Sequence, residues 1–127
     1  MFDTDGAQID AHGGGFLVEN GTVFWFGSAR LNHPDPDCVP TNLPPRPCDL
    51  GINLYSSADL YRWKFESQVV AAVNSSENGL DLERPKVVRC SGTGRYVMWL
   101  RGTPIYNGTQ LKVGVLTAPT PRGPWRW

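Results

Sequence analysis

A carboxylate and a guanidinium group stand next to each other at Glu83 and Arg84, between a polar stretch at 74–81 and the apolar residues that follow Pro85. A carboxylate whose orientation is fixed by a guanidinium group can accept hydrogen bonds from the hydroxyl groups of a ligand. The alternative is an ion pair in solvent, which contributes less than about 1 kcal/mol to stability. The spacing alone favours the solvent-exposed pair, so Glu83 is a candidate that needs support from the rest of the chain.

A histidine followed by three glycines, His12 to Gly15, is the second candidate. Consecutive glycines let the backbone approach a ligand closely or adopt positive φ angles. A phosphate-binding loop would require a helix directly afterwards, and the apolar residues from Phe16 onward predict a strand instead. The alternative is a tight turn into that strand, with a histidine that is hydrogen-bonded within the protein.

Short strands, rather than helices, must position these candidates. Aromatic and β-branched residues recur in short runs, and turn-forming sequences such as Asn20-Gly21 and 91–94 separate the runs. The consecutive apolar residues at 23–26 predict a strand that is buried on both faces. The predicted strands cover residues 16–18, 23–26, 52–55, 63–70, 87–88, 96–100 and 112–116.

The chain contains one internal repeat. The segment 54–65 aligns with 116–127, and the alignment pairs Trp63 with Trp125. Two four-stranded units in tandem are typical of a β-propeller, with a β-sandwich of short strands as the alternative. The predicted units are a first blade at about 12–70 and a second blade at about 83–127.

The first blade contains an inserted loop at 31–50, in which Cys38 and Cys48 flank a proline-rich segment. In an oxidising compartment these two cysteines are natural partners, and a disulfide that closes a loop of ~10 residues contributes about 2–3 kcal/mol. The alternative is a pair of free thiols. Cys90 ends an apolar run and is predicted to remain unpaired, as a small buried residue. The chain has no paired Cys-x-x-Cys motif, so a zinc site is not expected.

The bulk composition excludes several classes of function. The 127 residues suit one domain, and 12 basic and 12 acidic residues give a formal net charge of zero. Without a basic stripe, a nucleic-acid partner is not expected. No apolar run reaches the about 20 residues that span a membrane. Sequons at Asn20, Asn74 and Asn107 favour a secreted, extracellular protein, although no signal peptide precedes Asp3 in this chain.

Three motifs, in the same order, resemble glycoside hydrolase family 43 and within it the branch that cleaves 1,3-β-galactan. They are DTDGAQIDAHGGGFLVENGTVFWFG at 3–27, ERPKV at 83–87 and GVLTAPTPRGPW at 114–125. The resemblance implies an all-β, five-bladed β-propeller, of which this chain holds about two blades as an amino-terminal part. It also implies inverting exo-cleavage of a β-1,3-galactan-type plant or algal polysaccharide, with no cofactor and no metal.

The resemblance also implies roles for the candidate residues. Glu83 is expected to be an auxiliary carboxylate that is needed for activity, on the funnel that the innermost strands surround. The implied substrate-binding residues are His12, Gly13, Gly14, Arg84 and Tyr106. Tyr106 is similar to a family tyrosine that packs beside the sugar, and a surface tyrosine is the alternative.

Two positions depart from the family pattern. Ordinary members have an Asp-Pro near the AHGGG position, and that Asp is the general base. Here Asp10 lies two residues early and is assigned to a turn, with the role of the general base as the alternative. Ser28 stands where galactan-cleaving relatives often have a glutamate, which weakens an expected contact with galactose. The general acid is expected beyond Trp127, because inverting cleavage needs an acid and a base whose carboxyl groups lie ~6.5–9.5 Å apart.

Two other functions remain open from the sequence. One is a non-catalytic carbohydrate-binding or scaffold propeller. The other is an arabinofuranosidase or β-xylosidase of the same family, which the AHGGG segment disfavours. The expected partner is an oligosaccharide or polysaccharide, with no nucleic acid and no membrane. On its own the chain is expected to be inactive, because the carboxy-terminal blades that close the propeller and supply the acid are missing.

Overall fold

The computed structural model describes residues 1–30, 51–71, 80–104 and 112–127. Within these ranges all regular secondary structure is β-strand, as the sequence predicts, and no helix is present that could cross a membrane. The strands are β1 (His12–Glu19), β2 (Thr22–Ala29), β3 (Gly51–Ser57), β4 (Lys64–Ala71), β5 (Leu80–Arg89), β6 (Tyr96–Pro104) and β7 (Lys112–Ala118).

The strands form two antiparallel sheets. The first has the order β1-β2-β3-β4 and the second has the order β5-β6-β7. Backbone hydrogen bonds of 2.8 and 2.9 Å between Thr117 and Arg126 add a bridge at the edge of β7. The internal repeat predicts the start of a further strand at this edge. Each sheet is a meander in which consecutive strands are neighbours, which is the arrangement found in a propeller blade.

Two strands extend further than the sequence predicts. β1 begins at His12 rather than at residue 16, because glycines are poor strand formers and conceal its start. β5 begins at Leu80 rather than at residue 87, because charged residues and Pro85 interrupt its apolar pattern. Both extensions contain candidate residues, so they determine where the candidate site lies.

The main core lies between the two sheets, where β5 packs against β1, β2 and β3. The buried residues of this core are Phe24, Phe26, Ile52, Leu54, Val70, Leu82, Val87, Tyr96, Met98, Leu100 and Leu116. Full burial of one large apolar side chain contributes about 1.5–3 kcal/mol. The shared face therefore fixes the two sheets relative to each other.

The amino-terminal residues cover the opposite face of the first sheet. Ala11, Tyr55 and Trp63 form a second buried cluster there, and the ring of Trp25 packs edge-on against Trp63 with centroids 5.1 Å apart. The chain before β1 lies directly on β2, since a Cβ at Gly27 would be 2.3 Å from the carbonyl carbon of Ala11. This close approach fixes where the chain enters β1.

Apolar side chains are exposed on both sheets away from the shared face. Phe16 and Val18 on the first sheet are 58% and 70% exposed, and Trp99 and Val113 on the second are 50% and 71% exposed. In a propeller, the faces of a blade pack against the neighbouring blades. The exposed residues are therefore of the type that this packing requires.

The antiparallel order gives the pair of sheets two ends. The Glu83 end is defined by His12, Arg30, Glu83 and Arg101, at the starts of β1 and β5 and near the ends of β2 and β6. The Glu66 end is defined by Glu19, Glu66, Tyr96 and Arg122, at the opposite ends of the same sheets.

Candidate functional site

Two guanidinium groups hold the Glu83 carboxylate. Arg101 Nη1 donates a 2.8 Å hydrogen bond to Glu83 Oε2, and Arg30 Nη2 donates a short one to Oε1. Arg101 stands opposite Glu83 in the β5–β6 ladder, whereas Arg30 follows β2 in the first sheet. The Glu83 side chain is 16% exposed. The carboxylate is therefore oriented from both sheets, and neither partner is the adjacent Arg84.

A β-bulge changes the course of the backbone beside Glu83. Glu83 pairs with Arg101 and Lys86 pairs with Trp99, so β5 has one more residue than β6 in this interval. Arg84 lies in the bulge with a φ of 55°, in the left-handed region that few non-glycine residues adopt. Its side chain is exposed and makes no hydrogen bond or ion pair within the described ranges. The bulge thus leaves the Arg84 guanidinium accessible to a ligand.

Asp10 links His12 to Arg30. The carboxylate oxygens of Asp10 accept the backbone N–H of Arg30 at 2.9 and 2.8 Å, and His12 Nε2 lies 3.5 Å from Asp10 Oδ1. The Asp10 backbone is held as well, because its N–H donates to the Tyr55 hydroxyl and its carbonyl accepts a hydrogen bond from Asn53. Burial raises the pKa of Tyr55. A chain of contacts therefore runs from His12 through Asp10 and Arg30 towards the second sheet.

The assignment of Asp10 to a turn is wrong. The turn is confined to residues 4–6, and Asp3 Oδ1 stabilises it by accepting the backbone N–H groups of Asp5 and Ala7. Asp10 comes after this turn and is 7% exposed, because Gly27 lets the incoming chain lie on β2. Its carboxylate is a buried part of the site rather than a solvated turn residue.

The three glycines make room for protein groups. A Cβ at Gly14 would lie 2.3 Å from Trp25 Nε1, and a Cβ at Gly15 would lie 2.6 Å from the carbonyl oxygen of Pro85. Gly13 has a φ of 56° and lies beside the side chain of Arg84. Lys86 Nζ donates to the carbonyl of Gly14 at 2.9 Å and to that of Gly13 at 3.3 Å. β1 and β5 therefore lie in close contact at the Glu83 end.

Comparison with known proteins finds solved structures that resemble this geometry. No family model and no curated protein matches the chain. Among solved structures, the exo-β-1,3-galactanase of Clostridium thermocellum matches with a TM-score of 0.78 and 31% identity, over 98% of this chain and 24% of that one. A family 43 β-1,3-galactosidase with bound galactodeoxynojirimycin matches with a TM-score of 0.79 and 38% identity, over 98% and 34%. The Phanerochaete chrysosporium exo-β-1,3-galactanase with β-1,3-galactotriose matches with 0.77 and 31%, over 98% and 26%.

The chain resembles part of the family 43 glycoside hydrolase structures. Its two sheets match part of the five-bladed propeller of that family. The chain spans only 24% to 34% of the length of these solved structures. The expected fold and family are thereby confirmed.

The family 43 segment brings most of the predicted site residues together. His12, Gly13, Gly14, Glu83 and Arg84 all lie at the Glu83 end. Their substrate-binding roles stay a prediction. The predicted site residue Tyr106 and the predicted disulfide partners Cys38 and Cys48 lie outside the described residues. Cys90 is a free cysteine, as expected, but it is half-buried rather than buried, because it lies at the turn that follows β5.

The Ser28 side chain contacts the second sheet rather than the solvent at the Glu83 end. Its side chain is buried, and its hydroxyl donates a 2.9 Å hydrogen bond to the carbonyl oxygen of Leu82. Leu82 directly precedes Glu83 on β5. Ser28 in this family 43 segment therefore helps to place Glu83, whereas the sequence reading considered only a lost contact with the sugar.

Arg30 and Arg101 are the site residues that sequence reasoning missed. Arg101 could have been found from its register opposite Glu83, but β5 had to be recognised as far back as Leu80. Arg30 carries no such signal, since it reaches Glu83 from a different sheet. The part of the family 43 segment that the structure describes has no group of three His, Cys, Asp or Glu side chains able to hold a metal ion.

Proposed function

We propose that the Glu83 end binds the terminal galactosyl residue of a β-1,3-galactan chain, as part of an inverting exo-acting glycoside hydrolase. The observation that carries the proposal is the Glu83 carboxylate, which two guanidinium groups hold. The Arg84 guanidinium beside it has no hydrogen-bond or ion-pair partner in the part of the chain that the structure describes. A carboxylate with neighbouring cationic donors is suited to a neutral ligand that is rich in hydroxyl groups.

The proposed roles follow from what each group can donate or accept. Glu83 accepts hydrogen bonds from sugar hydroxyls, while the exposed Arg84 guanidinium and the His12 ring offer donors at the same end. Glu83 is an auxiliary carboxylate in this proposal, because each of its oxygens is oriented by one arginine and is proposed to accept a sugar hydroxyl rather than to transfer a proton. The general acid of an inverting mechanism, about 6.5–9.5 Å from the base, is proposed to come from another part of the propeller.

The names of the matched structures support galactose as the sugar. Two of them are exo-β-1,3-galactanases, and one is a β-1,3-galactosidase with galactodeoxynojirimycin. Secretion is proposed on a separate observation: the Asn20 sequon lies in an exposed hairpin turn between β1 and β2, where a glycan has room. A glycosidase-sensitive mass increase after expression in a eukaryotic host tests that point.

Hydrolysis by a completed propeller tests the proposed function. A chimera is made in which this chain takes the place of the aligned segment of the Clostridium thermocellum galactanase. The exchange is possible because 98% of this chain aligns with that structure. The chimera is expected to release galactose from 1,3-β-galactan, and Glu83→Gln is expected to lower kcat/KM by at least about 100-fold. Glu66→Gln at the other end is the control and is expected to retain the rate. A folded chimera that binds galactan without cleaving it would favour a non-catalytic binding propeller, and one that does neither would contradict the proposal.

A further inference from the structure

Glu83 is held by one guanidinium group on each oxygen, and each comes from a different sheet. Arg30, after β2, bonds Oε1, and Arg101, on β6, bonds Oε2. Arg101 also has a buried Nε that finds no partner among the described residues. A buried donor without a partner is unfavourable. Arg101 therefore keeps its place despite the unpaired Nε, and the hydrogen bond that its Nη1 donates to Glu83 is the contact that offsets this cost.

The backbone of Arg30 is itself held in place by Asp10. The Asp10 carboxylate accepts its backbone N–H with both oxygens, and Asn53 and Tyr55 hold the backbone of Asp10. This arrangement fixes the start of the Arg30 side chain before it crosses to the second sheet. The Glu83 carboxylate is therefore placed relative to β1 as well as relative to its own strand.

The outer acceptor positions of Glu83 remain open. Each carboxylate oxygen can accept about two hydrogen bonds, and each receives one from an arginine. No hydroxyl group of the described residues donates to Glu83. Among the described residues, one acceptor position on each carboxylate oxygen is therefore left without a donor, and a carboxylate with two such positions can accept hydrogen bonds from two adjacent hydroxyls.

We propose that Arg30 and Arg101 are positioning residues, which fix the Glu83 carboxylate so that it accepts hydrogen bonds from two adjacent hydroxyls of the terminal sugar. The inference rests on the proposed function. It adds that sugar affinity depends on two arginines that do not touch the sugar, and that this dependence acts only through Glu83.

A matched control exists at the Glu66 end. Arg122 donates to both oxygens of Glu66, at 3.2 Å from Nε and 3.1 Å from Nη2. Glu66 lies on β4 of the first sheet and Arg122 follows β7 of the second, so this pair also joins the two sheets. Arg122→Met therefore removes the same type of contact without touching the proposed site.

The test measures the dissociation constant of thio-linked β-1,3-galactobiose, a non-hydrolysable analogue, by saturation-transfer NMR, for the galactanase chimera that contains this chain and for its variants. Arg30→Met and Arg101→Met are each expected to weaken binding at least about tenfold. Arg122→Met is expected to leave the dissociation constant unchanged while it lowers the melting temperature. Where Arg30→Met does not fold, Arg30→Lys replaces it. A smaller loss of sugar affinity is expected for Arg30→Lys, because the ammonium group keeps the positive charge and can still donate to Glu83.

A second comparison separates positioning from general destabilisation. In a Glu83→Gln background, Arg30→Met is expected to add less than about a twofold loss, because its effect passes through Glu83. If Arg30→Met weakens sugar binding equally with Glu83 present and in the Glu83→Gln background, the inference is overturned. It is also overturned if folded Arg30→Met and Arg101→Met variants bind the sugar as tightly as the unchanged chimera while Glu83→Gln binds it more weakly. No binding by the unchanged chimera, or full binding by Glu83→Gln, would overturn the proposed function and the inference with it.

Discussion

The two ends of the sheets use the same type of ion pair and surround it differently. At the Glu66 end, Ser56 donates its hydroxyl to Glu66 Oε1 in addition to the contacts from Arg122. The hydroxyl of Tyr96 likewise donates to the carboxylate of Glu19. At the Glu83 end, the described residues supply only arginine donors to the carboxylate.

This difference separates a structural carboxylate from a candidate binding carboxylate. A hydroxyl group of the protein donates to Oε1 of Glu66 and another donates to Glu19, so both carboxylates bond to other strands through hydroxyl groups as well as contacting arginines. Within the described ranges no hydroxyl group donates to Glu83, and the neighbouring Arg84 guanidinium has no hydrogen-bond or ion-pair partner there. An Arg–Glu pair between sheets is therefore not evidence for a site until the remaining acceptor positions are examined.

The largest expected effect is a loss of stability when a methyl group is added to a glycine at the Glu83 end, where the glycines are closely packed. A Cβ at Gly14 would lie 2.3 Å from Trp25 Nε1 and 2.6 Å from the carbonyl oxygen of Phe26, whereas a Cβ at Gly92 would meet nothing within 4 Å. Gly14→Ala is therefore expected to lower the free energy of unfolding by about 3 kcal/mol. Gly92→Ala, the control, is expected to change it by less than about 0.5 kcal/mol. Urea denaturation measures both, and equal values would contradict the close packing at the Glu83 end.

The pH dependence of stability is the next largest effect. The hydrogen bond from Arg122 is the main cause that lowers the pKa of Glu66 below its usual value of 4.5. Since the folded pKa is below the unfolded one, the stabilisation is complete above the unfolded pKa and is lost as the pH falls through the folded pKa. The melting temperature of the unchanged chain is expected to fall more between about pH 6 and about pH 3 than that of Glu66→Gln. Parallel curves would show that Glu66 is not stabilised by its partners.

The smallest expected effect tests the role of protein hydroxyls. Ser56→Ala removes the 2.6 Å hydrogen bond to Glu66 Oε1 and is expected to lower the free energy of unfolding by about 1 kcal/mol. It is expected to leave sugar binding unchanged. A galactobiose affinity that changes with Ser56→Ala would mean that the Glu66 end also takes part in binding, and the contrast between the ends would be lost.

The sequence was sufficient for the fold class and for part of the site. Aromatic and β-branched runs identify the strands, and the repeat that pairs Trp63 with Trp125 indicates two similar units. The start of β5 was missed because its pattern is interrupted by charges and Pro85. Arg30 could not be predicted, since it approaches Glu83 only after the two sheets have packed together. Local patterns therefore identify the carboxylate, and only the tertiary structure identifies what orients it.

The most direct test of the central claim maps where a galactosyl ligand binds. Amide chemical shifts of the isotope-labelled galactanase chimera that contains this chain are followed during titration with thio-linked β-1,3-galactobiose. The account predicts saturable shifts at Gly13, Gly14 and Arg84, and none at Gly21 or Gly92 near the opposite end. It also predicts that Glu83→Gln requires a higher ligand concentration for the same shifts, while Glu66→Gln does not. Shifts confined to the Glu66 end, or no shifts from a folded chimera, would contradict the claim that Glu83 is the binding carboxylate.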